Sequence, residues 1–122
     1  MSGWVSGEDL MCPVRYFMDV VGGKWKISIL CILSDGTPYR YSYIKKRLGD
    51  VTNTMLSKSL QELEKDGILN RKQYPEIPPR VEYSLTEKGL SLIPVIVCMG
   101  KWGLESCGEE KEKVYCKPCK SK

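Results

Sequence analysis

Apolar residues between positions 51 and 67 recur at intervals of three and four, which is the spacing of an amphipathic helix. Thr52 or Asn53 can cap the start of this helix, since a short side-chain oxygen accepts a hydrogen bond from an otherwise unpaired backbone N–H. Gly67 suits the end, because glycine adopts a left-handed conformation without steric cost. The pattern predicts a helix over about residues 52–66, with an apolar stripe of Met55, Leu56, Leu60 and Leu63.

The polar face of this helix carries short hydrogen-bonding side chains and one cation in its first two turns, and acidic residues only further on. Such groups contact base edges and phosphates when a helix enters the major groove of DNA by its N-terminal end. The solvated face of an ordinary core helix would have a similar composition, so the helix alone leaves both interpretations open. The candidate contact residues are Asn53, Thr54, Ser57 and Lys58, with Gln61 beside them.

Three helices are predicted before this segment. Pro13 follows Cys12 at a first helical position, where its missing N–H costs nothing. Ser42 is predicted to cap a short helix over 43–48. A turn of about four residues joins this helix to the longer one over 52–66, which has the polar face. This is the helix-turn-helix arrangement. The apolar residues of the first helix are Val14, Phe17, Met18 and Val21, and those of the second, over 24–33, are Trp25, Ile29, Ile32 and Leu33.

After Gly67 the apolar period changes to two, which is typical of strands. Residues 75–79 contain three prolines, which prevent regular strand pairing there and predict a stiff projecting loop. The base of the resulting hairpin carries the cations Arg71, Lys72 and Arg80, so the hairpin is predicted to be the basic wing of a winged helix, over about 68–85. The predicted strands span 68–74 and 81–85, with a further short strand at 39–41.

The last predicted helix begins after Thr86 and runs to about residue 106, with apolar residues over more than one face. A domain of this size cannot cover such a helix on every side, so a second protomer is expected to do so. Pro94 falls inside the helical pattern and removes a backbone hydrogen bond, which predicts a kink. Residues 1–11 are predicted to be a flexible arm, and the charged residues 108–122 a tail.

Charge is concentrated around the candidate recognition helix. Between residues 40 and 80 there are nine cations and five anions, so this third of the chain carries the same +4 as the whole 122-residue chain. Such an excess favours a polyanionic partner. Histidine is absent, which excludes histidine-dependent hydrolases and zinc enzymes. No run resembles a signal peptide or a membrane span, so we expect a cytoplasmic protein without a membrane partner.

Several segments together resemble the HxlR family of bacterial and archaeal transcription regulators, which are relatives of the MarR-type winged-helix proteins. The resemblance covers about residues 10–104, in order and without large gaps. The prolines before Arg80 and the Tyr-Ser-Leu-Thr run of the wing are its most specific part. The matching segments are Cys12-Pro13-Val14, Gly22-Gly23-Lys24-Trp25, the leucines of 56–63 with Asp66-Gly67, residues 78–86 with Gly89, and Pro94 with Trp102-Gly103.

The resemblance implies an α+β, mostly α fold: a winged helix-turn-helix domain over 12–107 whose N-terminal and C-terminal helices form a homodimer. It implies binding to an inverted repeat in double-stranded DNA, with half-sites about 34 to 36 Å apart or a multiple of that. Asn53, Thr54, Ser57 and Lys58 would then meet the major groove. The wing would place Arg80, with Arg71 and Lys72 nearby, against phosphates or the adjacent minor groove.

Cys12 is the candidate redox sensor. Several members of the family that this chain resembles sense oxidants or electrophiles through a cysteine at this place before Pro-Val. A thiol at a helix N-terminus also lies at the positive end of the helix dipole, which favours the reactive thiolate. The alternative is a half-buried structural thiol near the dimer interface. Oxidation to a sulfenic acid or to an intersubunit disulfide would reposition the first helix.

The other cysteines differ in their expected roles. Cys31 is predicted to lie in the core, and Cys98 in the buried dimer helix. Cys116 and Cys119 form a CxxC pair, but only three residues follow it, so a thioredoxin-like catalytic role is disfavoured. Cys98, Cys107, Cys116 and Cys119 could in principle supply four thiolates to zinc, yet no second CxxC supports this. Neither a metal nor another cofactor is therefore assigned.

The sequence thus predicts a non-enzymatic, homodimeric, DNA-binding transcription regulator, switched by oxidation of Cys12. One alternative is a MarR-like regulator controlled by a small molecule without thiol sensing. Another is a winged-helix protein-interaction module that does not bind DNA. A third, a small thiol oxidoreductase built on Cys116 and Cys119, would need to turn over a disulfide substrate.

Overall fold

The computed structural model describes residues 12–107, which form six helices and a small antiparallel sheet. The predicted arm (1–11) and tail (108–122), with Cys116 and Cys119, lie outside the described residues. Within the described part, no helix combines the length and apolar character needed to cross a bilayer. In chain order the elements are α1 (Pro13–Val21), α2 (Lys26–Ile32), β1 (Tyr39–Arg40), α3 (Tyr41–Leu48), α4 (Asn53–Lys65), β2 (Leu69–Tyr74), β3 (Arg80–Leu85), α5 (Glu87–Leu90) and α6 (Ile93–Ser106).

The core forms where α4 packs against α2. Leu56, Leu60 and Leu63 of α4 are fully or almost fully buried, and α2 contributes Ile29 and Leu30 to the same cluster. Burying a leucine or isoleucine side chain stabilises the fold by about 1.5–3 kcal/mol, so this stripe determines which face of α4 points inward. The predicted stripe is confirmed except at Met55, which is 43% exposed. Met55 is on the outer side because the next residue, Leu56, is the one that faces the core.

The sheet has the order β1-β3-β2, with both pairs antiparallel. The β2–β3 hairpin runs from the pair Leu69 and Leu85 to the pair Tyr74 and Arg80, so the predicted strands are confirmed. Its inner end is buried by the two leucines, whereas its outer end is in solvent. Residues 75–79 form the connecting loop, which fits the prolines there.

Two helix starts differ from the predictions. The short helix begins at Tyr41, and its N-cap is Arg40 rather than Ser42. Arg40 is still paired with β3 and therefore extended, with φ −77° and ψ 156°, so the helix begins at the first residue beyond the strand. The second helix begins at Lys26, two residues later than predicted, because Gly23 adopts φ +103° and the chain turns before entering the helix.

The predicted single C-terminal helix is two helices, α5 and α6, separated at Ser91 and Leu92. Thr86 caps α5 as predicted: its Oγ1 accepts a hydrogen bond from Gly89 N at 3.0 Å. Pro94 lies in the first turn of α6, where a proline costs no intrahelical hydrogen bond, so the predicted kink inside a continuous helix is wrong. The break instead precedes the proline.

Apolar residues remain uncovered on α1 and α6. No residue of α6, which lies wholly within the described range, is buried, and Trp102 is 71% exposed. On α1, Val21 is buried and Phe17 partly buried, but the predicted core-facing Val14 and Met18 are exposed. The prediction that Cys31 is in the core is confirmed, whereas Cys98 is exposed on α6 within this single chain. The two helices therefore present a surface that the domain does not cover by itself.

An ion pair joins α4 to α2 beside the leucine stripe. Lys26 Nζ lies 2.8 Å from Glu62 Oε1, and the two side chains are 9% and 43% exposed. The hydrogen bond from Lys26 lowers the pKa of the Glu62 carboxyl below its ordinary value. Glu62 binds a proton more readily in the unfolded chain than in the folded one. The ion pair therefore stabilises the fold at pH values above the ordinary carboxyl pKa. That contribution is lost as the pH falls through the lowered value.

Replacing Glu62 should destabilise the domain more than replacing its partner. Glu62→Gln leaves the buried Lys26 ammonium without a counter-charge and should lower the free energy of unfolding by about 1–3 kcal/mol at neutral pH. Lys26→Met should cost under about 1 kcal/mol, because methionine packs in the same space and Glu62 remains hydrated. Urea unfolding of both variants measures the difference. Equal losses would contradict the asymmetry, and the exposed control Glu64→Gln should stay within about 0.5 kcal/mol of wild type.

Candidate nucleic-acid interface

The outer face of the first two turns of α4 presents the residues predicted to contact DNA. Asn53, Thr54 and Lys58 are exposed, and Ser57 is partly buried. Thr52 is the N-cap, since its Oγ1 accepts a hydrogen bond from Met55 N at 3.1 Å. The first turn contains no acidic residue. The unpaired N–H groups and the dipole of the helix therefore make this end attractive to anions.

Tyr41 joins this face although sequence reasoning assigned it only to a strand. Its hydroxyl lies 2.9 Å from Asn53 Oδ1 and 3.3 Å from the Asn53 backbone oxygen. The two residues are twelve positions apart, and the turn from β1 into α3 brings them together. No local pattern could have revealed the contact, because it depends on where α3 begins.

The two cations on β2 lie on opposite faces of the hairpin, since successive side chains of a strand alternate. Arg71 lines a groove of about 360 Å³ together with Tyr41, Ser57, Gln61 and Glu64, so it is next to the polar face of α4. Lys72 is on the other face, with its Nζ 4.9 Å from the centre of the Tyr74 ring. Both are exposed, and no carboxylate among residues 12–107 lies within 4.0 Å of their side-chain nitrogens.

Arg80 is engaged inside the wing. Its Nη2 lies 3.0 Å from a Glu76 carboxylate oxygen and its Nε 3.7 Å from one of Glu82. The guanidinium carbon lies 3.9 Å from the centre of the Tyr74 ring, and the side chain is 27% exposed. Two carboxylates thus compensate the charge that was predicted to meet phosphates. The contacts indicate that Arg80 holds the proline loop to the hairpin, and they leave Arg71 as the better placed cation.

Cys12 lies outside this face but is connected to it. It is the N-cap residue of α1, it is buried, and its backbone oxygen accepts a hydrogen bond from Tyr16 N at 2.9 Å. Helix α1 contacts α4. Lys88 adds a second connection, because its Nζ lies 3.0 Å from Asp66 O at the end of α4 and 3.4 Å from the Tyr16 hydroxyl of α1.

No metal site is formed by the described residues. Among residues 12–107 there is no group of three or more histidine, cysteine, aspartate or glutamate side chains placed to hold a metal ion. Of the four cysteines considered for zinc, Cys98 is exposed on α6 and Cys107 follows its end, while the other two lie outside the described residues. The zinc hypothesis therefore gains no support here.

Residues 20–111 match the family model described as HxlR-like helix-turn-helix. The chain belongs to the HxlR family. The resemblance seen in the sequence is confirmed, and so is the winged helix-turn-helix fold. HxlR proteins are helix-turn-helix transcription regulators, a DNA-binding class that is not enzymatic, so this chain is a transcription regulator of that type.

Individual relatives agree with this assignment. An uncharacterised helix-turn-helix-type transcriptional regulator of Methanothermobacter thermautotrophicus is 47% identical over 103 residues, covering 80% of this chain and 78% of the relative. A solved structure from Porphyromonas gingivalis W83, described as a transcriptional regulator of the MarR family, is 38% identical with a TM-score of 0.74, covering 84% of this chain and 97% of that one.

A third relative is described by its response to oxidation. The structure of the redox regulator HypR in its oxidised form is 42% identical to this HxlR-family chain, with a TM-score of 0.70, and covers 78% of this chain and 97% of that one. The reduced form of HypR matches with a TM-score of 0.71. The same fold is thus recorded for HypR in both redox states.

Proposed function

We propose that this HxlR-family regulator binds an inverted repeat in double-stranded DNA as a homodimer, with α4 as the recognition helix and the β2–β3 hairpin as the wing. The observation that carries the proposal is the shared groove of Arg71, Ser57 and Gln61 beside the acid-free first turn of α4. Apart from the Glu64 carboxylate, which also lines this groove, its side chains supply hydrogen-bond donors and a cation that suit base edges flanked by phosphates. A regulator that binds genomic DNA works in the cytoplasm, so that location is part of the proposal.

The uncovered residues of α1 and α6 support the dimer. Val97, Met99 and Trp102 of α6 and Val14 and Met18 of α1 are all exposed in the single chain. Exposed apolar side chains in such number mark protein–protein interfaces. A second copy would bring an identical apolar surface, as the symmetry of homodimers requires. Two recognition helices held at a fixed separation then match the two halves of an inverted repeat.

Removing the Arg71 charge should weaken DNA binding in a salt-dependent way. Arg71→Gln should reduce the magnitude of the slope of log K against log salt by about 0.9 per protomer, because one phosphate contact fewer releases one counterion fewer. Fluorescence anisotropy with duplex DNA from the upstream region of the gene, measured over a range of salt concentrations, gives the slope. Lys101→Gln, an equal charge change on α6, is the control and should leave the slope unchanged. Identical slopes for wild type and Arg71→Gln would contradict the assignment of this groove to DNA.

Introducing a charge into the exposed face of α6 should prevent dimer formation. Trp102→Glu removes the most exposed aromatic anchor of α6 and would bury an unpaired carboxylate, so dimer affinity should fall at least about 100-fold. Sedimentation equilibrium at micromolar concentration distinguishes one chain mass from two. Glu105→Gln on the same helix is the control and should remain dimeric. If wild-type protein sediments as a monomer, the proposed dimer is wrong.

We further propose that oxidation of Cys12 is the signal. The relation to HypR, described as a redox regulator, supports this, as do the place of Cys12 at the start of α1 and the contact of α1 with α4. In a reaction with a hydroperoxide, the thiolate attacks one oxygen, the O–O bond breaks, and a sulfenic acid and hydroxide or alkoxide form. Attack by the thiol of a second protomer then forms a disulfide and releases water. Either product changes the start of α1.

Oxidant should change DNA binding by the wild type but not by Cys12→Ser. We expect hydrogen peroxide to alter the affinity for the upstream duplex at fixed salt by at least about tenfold, since a modified Cys12 no longer fits its buried place. Reduction with dithiothreitol should restore it. Cys98→Ser, which alters an exposed thiol, is the matched control and should respond as wild type does. An unchanged oxidant response in Cys12→Ser would refute the role of Cys12.

The same experiment separates the alternatives. If both proteins bind DNA equally with and without oxidant, Cys12 is structural and a small molecule is the remaining type of effector, as in a MarR-like regulator. If neither protein binds any duplex at low salt, the chain is an interaction module that does not bind DNA.

A further inference from the structure

Tyr41 lies where the recognition helix and the wing approach each other. It is the first residue of α3, and its hydroxyl contacts the first residue of α4. Its side chain lines the groove that contains Arg71 and Ser57, and also a second groove of about 460 Å³ that is lined by residues 76–81 of the wing. Any DNA held between α4 and the wing would therefore pass beside Tyr41.

The Tyr41 hydroxyl determines how the Asn53 carboxamide is oriented. The backbone oxygen of Asn53, 3.3 Å away, is the acceptor of the helical hydrogen bond from residue 57. The side-chain Oδ1, at 2.9 Å, is closer and is the better acceptor for the single hydroxyl hydrogen. A carboxamide held by its oxygen turns its amino group away from the tyrosine. The two hydrogens of Asn53 Nδ2 then point outward and can be donated.

We infer that Tyr41 is a positioning residue that sets the base preference of Asn53, a step that rests on the proposed DNA binding. Reading of adenine by asparagine needs Oδ1 and Nδ2 to face the base together, because adenine presents an acceptor and a donor in the major groove. With Oδ1 turned to Tyr41, Asn53 serves as a donor. Guanine presents two acceptors, N7 and O6, so the pair favours guanine at the base that Asn53 meets.

The surroundings of Asn53 are consistent with a donor role. Thr54 and Lys58 are exposed on the same end of α4, and the first turn has no carboxylate that would repel an acceptor-rich base edge. The N-terminal end of the helix also carries partial positive charge. The Lys58 charge, the absence of acid in the first turn and the helix dipole therefore all favour acceptors on DNA at this end of α4.

Selection from a random-sequence duplex library tests the inference. Wild-type dimer should enrich a motif in which each half-site contains a guanine that Asn53→Ala no longer selects. Tyr41→Phe, which keeps the ring and removes only the hydroxyl, should lose about fivefold of the discrimination at that base pair and leave the other positions unchanged. The double variant that combines Tyr41→Phe with Asn53→Ala should discriminate at that base pair as well as Asn53→Ala alone does, since both changes affect one contact.

Two further variants make the result specific. Asn53→Asp keeps an acceptor for the Tyr41 hydroxyl but replaces the amino group by an oxygen, so its preference should shift from guanine towards cytosine, whose N4 is a donor. Tyr43→Phe is the matched control: it removes a hydroxyl from the same helix, one that accepts a hydrogen bond from Arg47 at 2.8 Å, and should leave the motif unchanged.

The outcomes are distinguishable. A Tyr41→Phe motif identical to that of wild type would overturn the inference and leave the proposed DNA binding intact. A uniform loss of affinity across all sequences would overturn it as well, because the pair would then serve a phosphate rather than a base. If wild-type protein enriches no motif, the proposed function itself fails.

Discussion

The burial of one stripe of α4 against α2 is the constraint on which the rest of the structure depends. Leu56, Leu60 and Leu63 occupy the centre of the core, and the helix cannot rotate without exposing them. The orientation of every outward side chain of α4 follows from this. Two polar contacts complete the constraint: Lys26 holds Glu62 in the second half of the helix, and Tyr41 holds Asn53 at its start.

The wing is joined to the same helix by its inner end. Thr86 donates a hydrogen bond from its hydroxyl to Gly67 O at 2.6 Å, directly after α4, and its backbone N–H bonds to Ile68 O at 3.0 Å. Gly89 lies so close to the Ile68 carbonyl that a Cβ would not fit. The orientation of the hairpin is thereby tied to the end of α4. Its outer end is stabilised by its own charges, because Arg80 lies between Glu76 and Glu82 and stacks on Tyr74.

The domain by itself leaves apolar residues of α1 and α6 exposed to solvent. A helix with the apolar composition of α6 is not stable as a fully solvated element, so its exposure in the single chain favours a second copy of the protein. Cys12 is the N-cap of α1, and α1 contacts α4. A chemical change at Cys12 would therefore act on the proposed dimer surface and on α4 together. In the proposed mechanism, this arrangement connects a thiol away from the outer face of α4 to that helix.

The sequence by itself determined the order of the elements, the buried stripe of α4, the hairpin with its proline loop and the family. These features depend on the period of apolar residues, on turn-forming residues and on short motifs, all of which are local. Only the tertiary structure decided where α3 starts, that Pro94 lies in the first turn of a separate helix, and which partners the site residues have. The sequence shows Arg80 only as a cation of the wing, whereas the structure pairs it with Glu76 of the connecting loop and with Glu82 two residues further along β3. The role of Tyr41 depends on a residue twelve positions away. The physical reason is that hydrogen bonds and ion pairs require side-chain atoms to lie within a few ångströms, and packing rather than local sequence sets those distances.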